Sequence, residues 1–507
     1  MSMKRWLFTA LLPAMIWANE IDAAQRVDLV AAQRLALERN LNLKATDFDA
    51  RASEALVRRG YGIYDPRAAA SFTEAESRDL SSYPTGGGSF ELPKTVAESR
   101  VFDLSLAQLL PSGGEVTVGL DNTRSRIAAG PSPAINPSWR SQAYIGLTQP
   151  LLKGFGRAVT EQAILYAVQD RQVAVQEVRS QAFTLLSQVR DGYYDVLRYR
   201  DNLKYRETSV ALAEKILAEN RARVEAGVLP PIENLEAEVG LTQRERDLLE
   251  AQRVYRDALD QLAVLLNLPE GVEIADEELE TTELSVNEEV GFQSALSRRP
   301  DLQQRLRRIE RLEIERKVSR NQLLPGLDLG AGYGRKGLAE DYQDNLSSIE
   351  QDDLNNWQIG LTLSYPLGNR QARNELARTE LLMKGEYARW QQLREEVRTE
   401  VRVAARQIEV NRKKIEVANR GRDLAEEKLR TLIKRKDVGL ATTRDVLEGE
   451  EDLALARTDQ IASLADYNRA VTEYLRVTGM LLESQGIRLA GLPDPERERP
   501  LLEMEKP

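Results

Sequence analysis

Asp445 and Glu448 lie three residues apart, just after a turn centred on Gly439. If a helix starts there, the two carboxylates share one face, and the helix N-terminus favours their negative charge. The pair reads either as ordinary charge at a helix start or, in a closed ring of identical subunits, as part of a ring of carboxylates. The other acidic residues read as solvated helix faces, with no pair set apart as an acid and a base. The chain contains no histidine and no cysteine. That excludes His-based acid–base catalysis, thiol nucleophiles, zinc-finger ligands and disulfides, and an acylated cysteine at the start of a mature chain. Gly154-Phe155-Gly156 follows a strand pattern and opens a helix, as a dinucleotide-binding loop does. Val159 stands where the third glycine belongs, however, and no parallel βαβ pattern follows. Those glycines turn the chain from strand to helix. No catalytic, cofactor or metal site is expected. A net charge of −10, without a basic stripe carrying interleaved aromatics, argues against nucleic acid.

The elements that position the acidic pair are two long helical patterns joined at the Gly439 turn, Asp437-Val438-Gly439-Leu440-Ala441-Thr442-Thr443-Arg444-Asp445-Val446-Leu447. An earlier turn, Glu225-Ala226-Gly227-Val228-Leu229-Pro230-Pro231-Ile232-Glu233-Asn234-Leu235, superposes on it without gaps: 439 − 227 and 447 − 235 both equal 212. The same shift carries Gly156 onto Gly368 and Tyr255 onto Tyr467. A second shift, 325 − 66 = 259, carries Leu37, Arg39, Leu43, Glu54 and Pro66 onto Leu296, Arg298, Leu302, Glu313 and Pro325. The chain is therefore an internal duplication, with a longer insert between Pro66 and Gly156 in its first half.

Val168, Val175, Ala182, Val189, Val196, Leu203, Val210, Leu217 and Val224 recur every seven residues, and Val178, Leu185, Tyr199 and Ala213 fill a companion seam. Trp390, Val397, Val401, Ala404, Ile408, Ile415, Ala418, Ala425, Leu429 and Leu432 do the same in the second half. A seven-residue apolar repeat of this length predicts coiled-coil packing. The stretch from Arg157 to Glu225 would run roughly 105 Å as a helix. The returning helix after Gly227 carries Leu241, Leu248, Ala251, Tyr255, Ala258, Leu262 and Leu265 as its seam. A composition 30% charged and 6% aromatic suits long solvated helices better than a thick globular core. Earlier, Val27 to Asn40 and Leu43 to Gly60 read as amphipathic helices.

The insert reads as strands. Phe102, Leu104 and Leu106 alternate with polar or small residues, as do Val116, Val118 and Leu120, and Ala143, Ile145 and Leu147. Pro111-Ser112-Gly113-Gly114 is a tight turn between two of them, and Ala68, Ala70 and Phe72 give a weaker strand. Leu327, Leu329, Ala331 and Tyr333, then Trp357, Ile359, Leu361, Leu363 and Tyr365, repeat the theme. Ser81 to Pro93 and Ala128 to Pro137 read as loops. Two readings fit the alternation: a half-buried sheet of a soluble domain, or a transmembrane barrel. Lys4 and Arg5 before the apolar run Trp6–Trp17, with a small residue at Ala18 or Ala24 for cleavage, read as a secretory signal. That segment and the aromatic strand ends at Trp139, Tyr144, Trp357 and Tyr365 favour the barrel. Four to six strands per chain are too few to close one, since about eight is the usual minimum, so an oligomer is expected.

Val438-Gly439-Leu440 followed by Asp445-Val446-Leu447, the paired Gly227 turn, and Thr148-Gln149-Pro150-Leu151-Leu152 at a strand-to-helix junction resemble the TolC-type outer-membrane efflux protein family, over roughly residues 27 to 480. The resemblance implies a fold that is mainly α with a transmembrane β-barrel portion, its duplicated coiled-coil hairpins forming an α-barrel tunnel in a homotrimer. It implies an outer-membrane channel of an efflux or type I secretion system, in contact with outer-membrane lipid, a periplasmic adaptor and an inner-membrane transporter. The adaptor would meet the tips at Gly227, Val228, Leu229, Val438, Gly439 and Leu440. The periplasmic gate would fall on Asp445 and Glu448, with Glu233 at the matching place in the first half. A Tyr and an Arg that brace the family's closed gate correspond to Lys436 and Ala441 here. The closed state is thus expected to rest on coiled-coil packing more than on a polar network.

The expected division is a signal region at 1–24, periplasmic helices at 25–66, barrel strands at 67–149 and a helical hairpin at 150–270. The second half would have a linker and helices at 271–325, strands at 326–366, a hairpin at 367–481 and an irregular tail at 482–507. The extra hairpin at Pro111–Gly114 either adds strands to the barrel or sits elsewhere. The alternative function is a soluble periplasmic coiled-coil adaptor or scaffold.

Overall fold

The computed structural model describes residues 25–80, 94–129, 133–277, 279, 281, 284–484 and 486. The signal region at 1–24, the Ser81–Pro93 loop, residues 130–132 and most of the expected tail lie outside the described residues. The first half holds strand β1 (Gln25–Val27), helices α1 (Leu29–Arg39) and α2 (Leu41–Gly60), a 3₁₀ turn (Tyr61–Tyr64), and strands β2 (Arg67–Leu80), β3 (Lys94–Leu109), β4 (Glu115–Ala129) and β5 (Ser138–Pro150). Helices α3 (Arg157–Thr160), α4 (Gln162–Glu225) and α5 (Ile232–Leu266) follow, then β6 (Val272–Ile274). The second half holds α6 (Glu288–Arg298), α7 (Pro300–Asn321), β7 (Gly326–Ala339), α8 (Tyr342–Gln351), β8 (Asn355–Ser364), α9 (Arg370–Asp437), α10 (Thr443–Val477) and α11 (Leu481–Ser484).

The chain forms two compact units, each drawn from both halves. One comprises residues up to Lys44, Ala182–Gly291 and Glu400 onward; the other comprises Ala45–Gln181 and Phe292–Thr399.

The second of these contains a six-stranded antiparallel sheet in the order β2-β3-β4-β5-β7-β8. Its register sorts residues by face from the Pro66, Gly114, Pro150 and Pro325 ends to the middle of the strands; beyond that the same face carries Glu74, Arg100, Asn122 and Ser141. Opposed pairs Phe72–Phe102, Leu104–Leu120, Val118–Ile145 and Leu329–Leu361 put large apolar side chains on one face. Leu104, Val118, Ile145, Trp357, Ile359 and Leu363 are all exposed there. The other face carries small and polar residues: Ser71 donates to Asp103 at 3.0 Å, and Thr117, Gly146, Gly332 and Gln358 follow one another across the strands. An apolar outer band over a small polar inner face is the pattern of a membrane barrel wall, since a water-soluble sheet does not leave its apolar face bare. Among the described residues no helix is long and apolar enough to cross a membrane.

The other unit is helical, with one short parallel pair in which β1 lies beside β6. The seven-residue seams are where burial occurs. Ala182, Val189, Val196 and Leu217 on α4, and Val401, Ala404, Ile408 and Leu429 on α9, are all buried. Ile216 and Leu217 pack with Ala237, Leu429, Val446 and Leu453 in one apolar cluster, so α4, α5, α9 and α10 share a core. Val27, read from sequence as helical, lies in β1; Asp28 accepts the Ala31 amide at 2.6 Å and starts α1 one residue later. Helix α8, between β7 and β8, was not expected.

Candidate functional site

The two hairpin turns are built alike. At the end of α4, the Gly227 amide donates to the Val224 carbonyl and the Val228 amide to the Arg223 carbonyl, at 3.0 and 2.8 Å. At the end of α9, the Gly439 amide donates to Lys436 and the Leu440 amide to Arg435, again at 3.0 and 2.8 Å. Both are helix ends closed by a left-handed glycine, with φ of 73° and 74°. The 212-residue shift read from the sequence therefore holds bond by bond. Val228, Val438 and Leu440 are exposed apolar residues. Leu229 is half-buried rather than exposed; its amide turns back to the Arg223 carbonyl at 3.3 Å.

Downstream the halves differ, because Thr442 corresponds to Pro230. In the second half, Thr442 caps α10: its hydroxyl accepts the Asp445 amide at 3.1 Å, and the Asp445 carboxylate accepts from the Thr442 amide at 2.8 Å. These bonds to Thr442 hold the Asp445 carboxyl below the usual carboxylate range. Glu448 is exposed one turn further on. In the first half, proline supplies no hydroxyl, and the Glu233 carboxylate accepts from the amide of Thr443, the first residue of α10, at 3.2 Å. Glu233 thus serves the N-terminus of the other hairpin's returning helix.

A buried polar set lies beneath the turns. The Asn220 amide donates to the Thr443 hydroxyl at 2.9 Å and to the Glu233 carbonyl at 3.1 Å, and Lys436 Nζ donates to Asn220 Oδ1 at 3.0 Å. Asn220 and Thr443 are fully buried. Burial lowers the Lys436 ammonium pKa. Lys436 stands in a polar set with Asn220 and Thr443, a connection that the sequence reading does not make. The clue was present in the seam, since the companion series runs by sevens from Ala213 to Asn220, and a polar residue inside an apolar seam fixes register. Among the described residues, no group of three acidic side chains is arranged to hold a metal ion.

Paired coiled-coil hairpins joined to a sheet with a bare apolar face define a channel protein of an outer membrane, not a soluble adaptor. The outer membrane efflux protein family model matches residues 102–268 and 291–479, and the chain belongs to that family. It is an efflux channel of the outer membrane, extending into the periplasm, and its family is one of channels rather than enzymes. Solved structures share the fold. The outer-membrane channel OprN matches at TM-score 0.66 and 16% identity, with 89% of each chain covered. A membrane protein from Pseudomonas aeruginosa matches at 0.65 and 17%, covering 93% of this chain and 99% of that one. The Campylobacter jejuni CmeC outer membrane channel matches at 0.64 and 14%, covering 95% and 94%. No curated protein sequence matches the chain.

Proposed function

We propose that three copies of this chain form one continuous conduit, with residues 67–149 and 326–366 in the membrane and the hairpins 150–270 and 367–481 in the periplasm. The apolar band faces outer-membrane lipid. A periplasmic adaptor docks on the hairpin tips at Gly227, Val228, Leu229, Val438, Gly439 and Leu440, and couples the channel to an inner-membrane transporter. Asp445 and Glu448, with Glu233 behind them, ring the periplasmic mouth and form its gate. Conduction is passive, and the transporter chooses the cargo.

The observation that carries this reading is the pairing of features at the two turns. Exposed apolar side chains sit at helix ends where they stabilise nothing within the chain, and exposed carboxylates lie within two turns of them. Three copies of two carboxylates in a narrow mouth repel one another and attract cations. The ring should make the pore cation-selective and open to block by multivalent cations. Single-channel recordings of wild type against Asp445→Ala/Glu448→Ala, with and without a multivalent cation, test it. Loss of block and weaker selectivity are expected; identical selectivity and block in both proteins would place the gate elsewhere.

A further inference from the structure

The two repeats contribute unequally to the sheet: β2 to β5 come from the first and β7 and β8 from the second. The surplus hairpin is not set aside. Its register continues residue by residue, so that Arg67, Ala107, Thr117, Gly146, Gly332 and Gln358 form one rung across all six strands. The sheet is nevertheless open. Every residue of β2 is exposed, and so is β8 apart from Asn356, whereas each inner strand is partly covered. Edge strands of soluble proteins are blunted by charge or proline. Here β8 contains neither, and β2 carries its charges at Arg67 and from Glu74 onward, which leaves Ala68–Thr73 uncharged. Hydrocarbon offers unpaired backbone groups no hydrogen-bond partner, so both edges require one from protein.

We propose that the occupant of each edge is another copy of the chain, β8 of one pairing with β2 of the next, and that the surplus hairpin is part of the wall. Three sheets of six strands then close one barrel of 3 × 6 = 18 strands. This rests on the trimeric reading above. An even number of strands makes each seam antiparallel, as within the sheet. Flush strand ends set Arg67 against Ser364 of the next copy, and hence Ala70 against Leu361, which keeps both apolar faces outward. In that register the rung from Arg67 leaves at Gln358 and re-enters the next copy at Thr73. The climb is about one residue per strand, a tilt of about 35°, at the edge of the range that closed barrels adopt. A wall of this size encloses an aqueous bore roughly 30 Å between backbones, as in barrels of about sixteen to eighteen strands. The inner face is small at Gly146, Gly332 and Gly360, and the Tyr144 ring lies flat over Gly119. The membrane end of the conduit then sets no size limit, and passage is decided at the periplasmic mouth.

The cysteine-free chain makes the seam directly testable. Ala70→Cys/Leu361→Cys, oxidised in outer membranes and run without reductant, should convert most of the chain to a covalent trimer. Either single variant, and the face-mismatched pair Ala70→Cys/Thr362→Cys, should stay uncrosslinked. A native trimer in detergent whose Ala70→Cys/Leu361→Cys pair does not crosslink, while Leu361→Cys bonds instead to Val118→Cys on β4, would put the β2–β3 hairpin outside a smaller barrel. That result overturns the proposal and leaves the trimer standing. A monomer in detergent would overturn both.

Discussion

Glu450 and Arg244 form an ion pair at the meeting of α4, α5 and α10, with only 3% and 8% of their surfaces exposed. Arg244 Nε donates to the carboxylate at 2.7 Å, and its other nitrogens donate to the Gly240 and Leu447 carbonyls at 3.1 and 3.0 Å. The Ser209 hydroxyl and the Tyr205 phenol donate to the second carboxylate oxygen. Burial pushes the Tyr205 phenol up, and the neighbouring carboxylate adds to the effect. Two desolvated charges are tolerated here because their bonds are satisfied. Glu450→Ala would strand the guanidinium and should cost about 3–5 kcal/mol, read as a lower denaturant midpoint in detergent. Arg244→Met/Glu450→Leu should recover most of that loss.

Asp445 and Glu448 should separate in hydrogen exchange. Asp445→Ala removes the capping box and should speed exchange of the first-turn amides of α10, whereas Glu448→Ala should leave them unchanged. The Asp445 carboxyl is depressed, so its contribution is present above its unfolded value of 3.8 and is lost as pH falls through the lower folded value. Wild-type cap protection should therefore persist down to pH 3.8 and fail only below it.

The bare glycines predict a purely backbone cost. A Cβ at Gly227 or Gly439 would meet nothing within 4 Å, yet φ is positive at both. Each Gly→Ala change should cost about 1 kcal/mol, and Gly→Asn less. Thermal unfolding checks both. Equal stability of Gly439→Ala and wild type would count against the left-handed turn.

Asp191 should make stability fall toward neutral pH. Burial, aided by Asp195 and Glu473, raises its carboxyl to about 6 against the opposing pull of Arg469 and Arg190. The folded state therefore holds its proton more tightly than the unfolded chain. The stabilisation is complete below the unfolded value of 3.8 and is lost as pH rises through about 6. Asp191→Asn should gain about 1–3 kcal/mol at pH 7.5 and little at acid pH. Denaturant midpoints across that window would show it.

Periodicity made the long elements legible. Val189 and Val196 on α4, and Leu104 and Ile145 in the sheet, are repeated too often to be ambiguous. What it missed lacks period. The β1–β6 pair joins three-residue strands whose partners are far apart in sequence, and α8 is ten mostly polar residues between two strands. At the site, Glu448 and Asp445 were legible as charge, but the bond from Asp445 back to Thr442 is a local alternative that charge alone does not reveal. The bond of Lys436 to Asn220 is not legible in sequence because the two lie 216 residues apart.

The parallel pairing of β1 with β6 also dictates an order of folding. Arg26 and Glu273, neighbours in that pair, are 247 residues apart, and Asn220 and Thr443 are 223 apart. Contacts so distant in sequence form slowly, because the chain must close large loops before any of them is rewarded. Ile216 and Leu217 find Leu429, Val446 and Leu453 only after α9 and α10 exist. The helical unit therefore cannot be completed until the second repeat has been made. Until then the first repeat carries an uncovered apolar seam that invites aggregation, so the vulnerable interval for this protein lies in its maturation rather than in its working state.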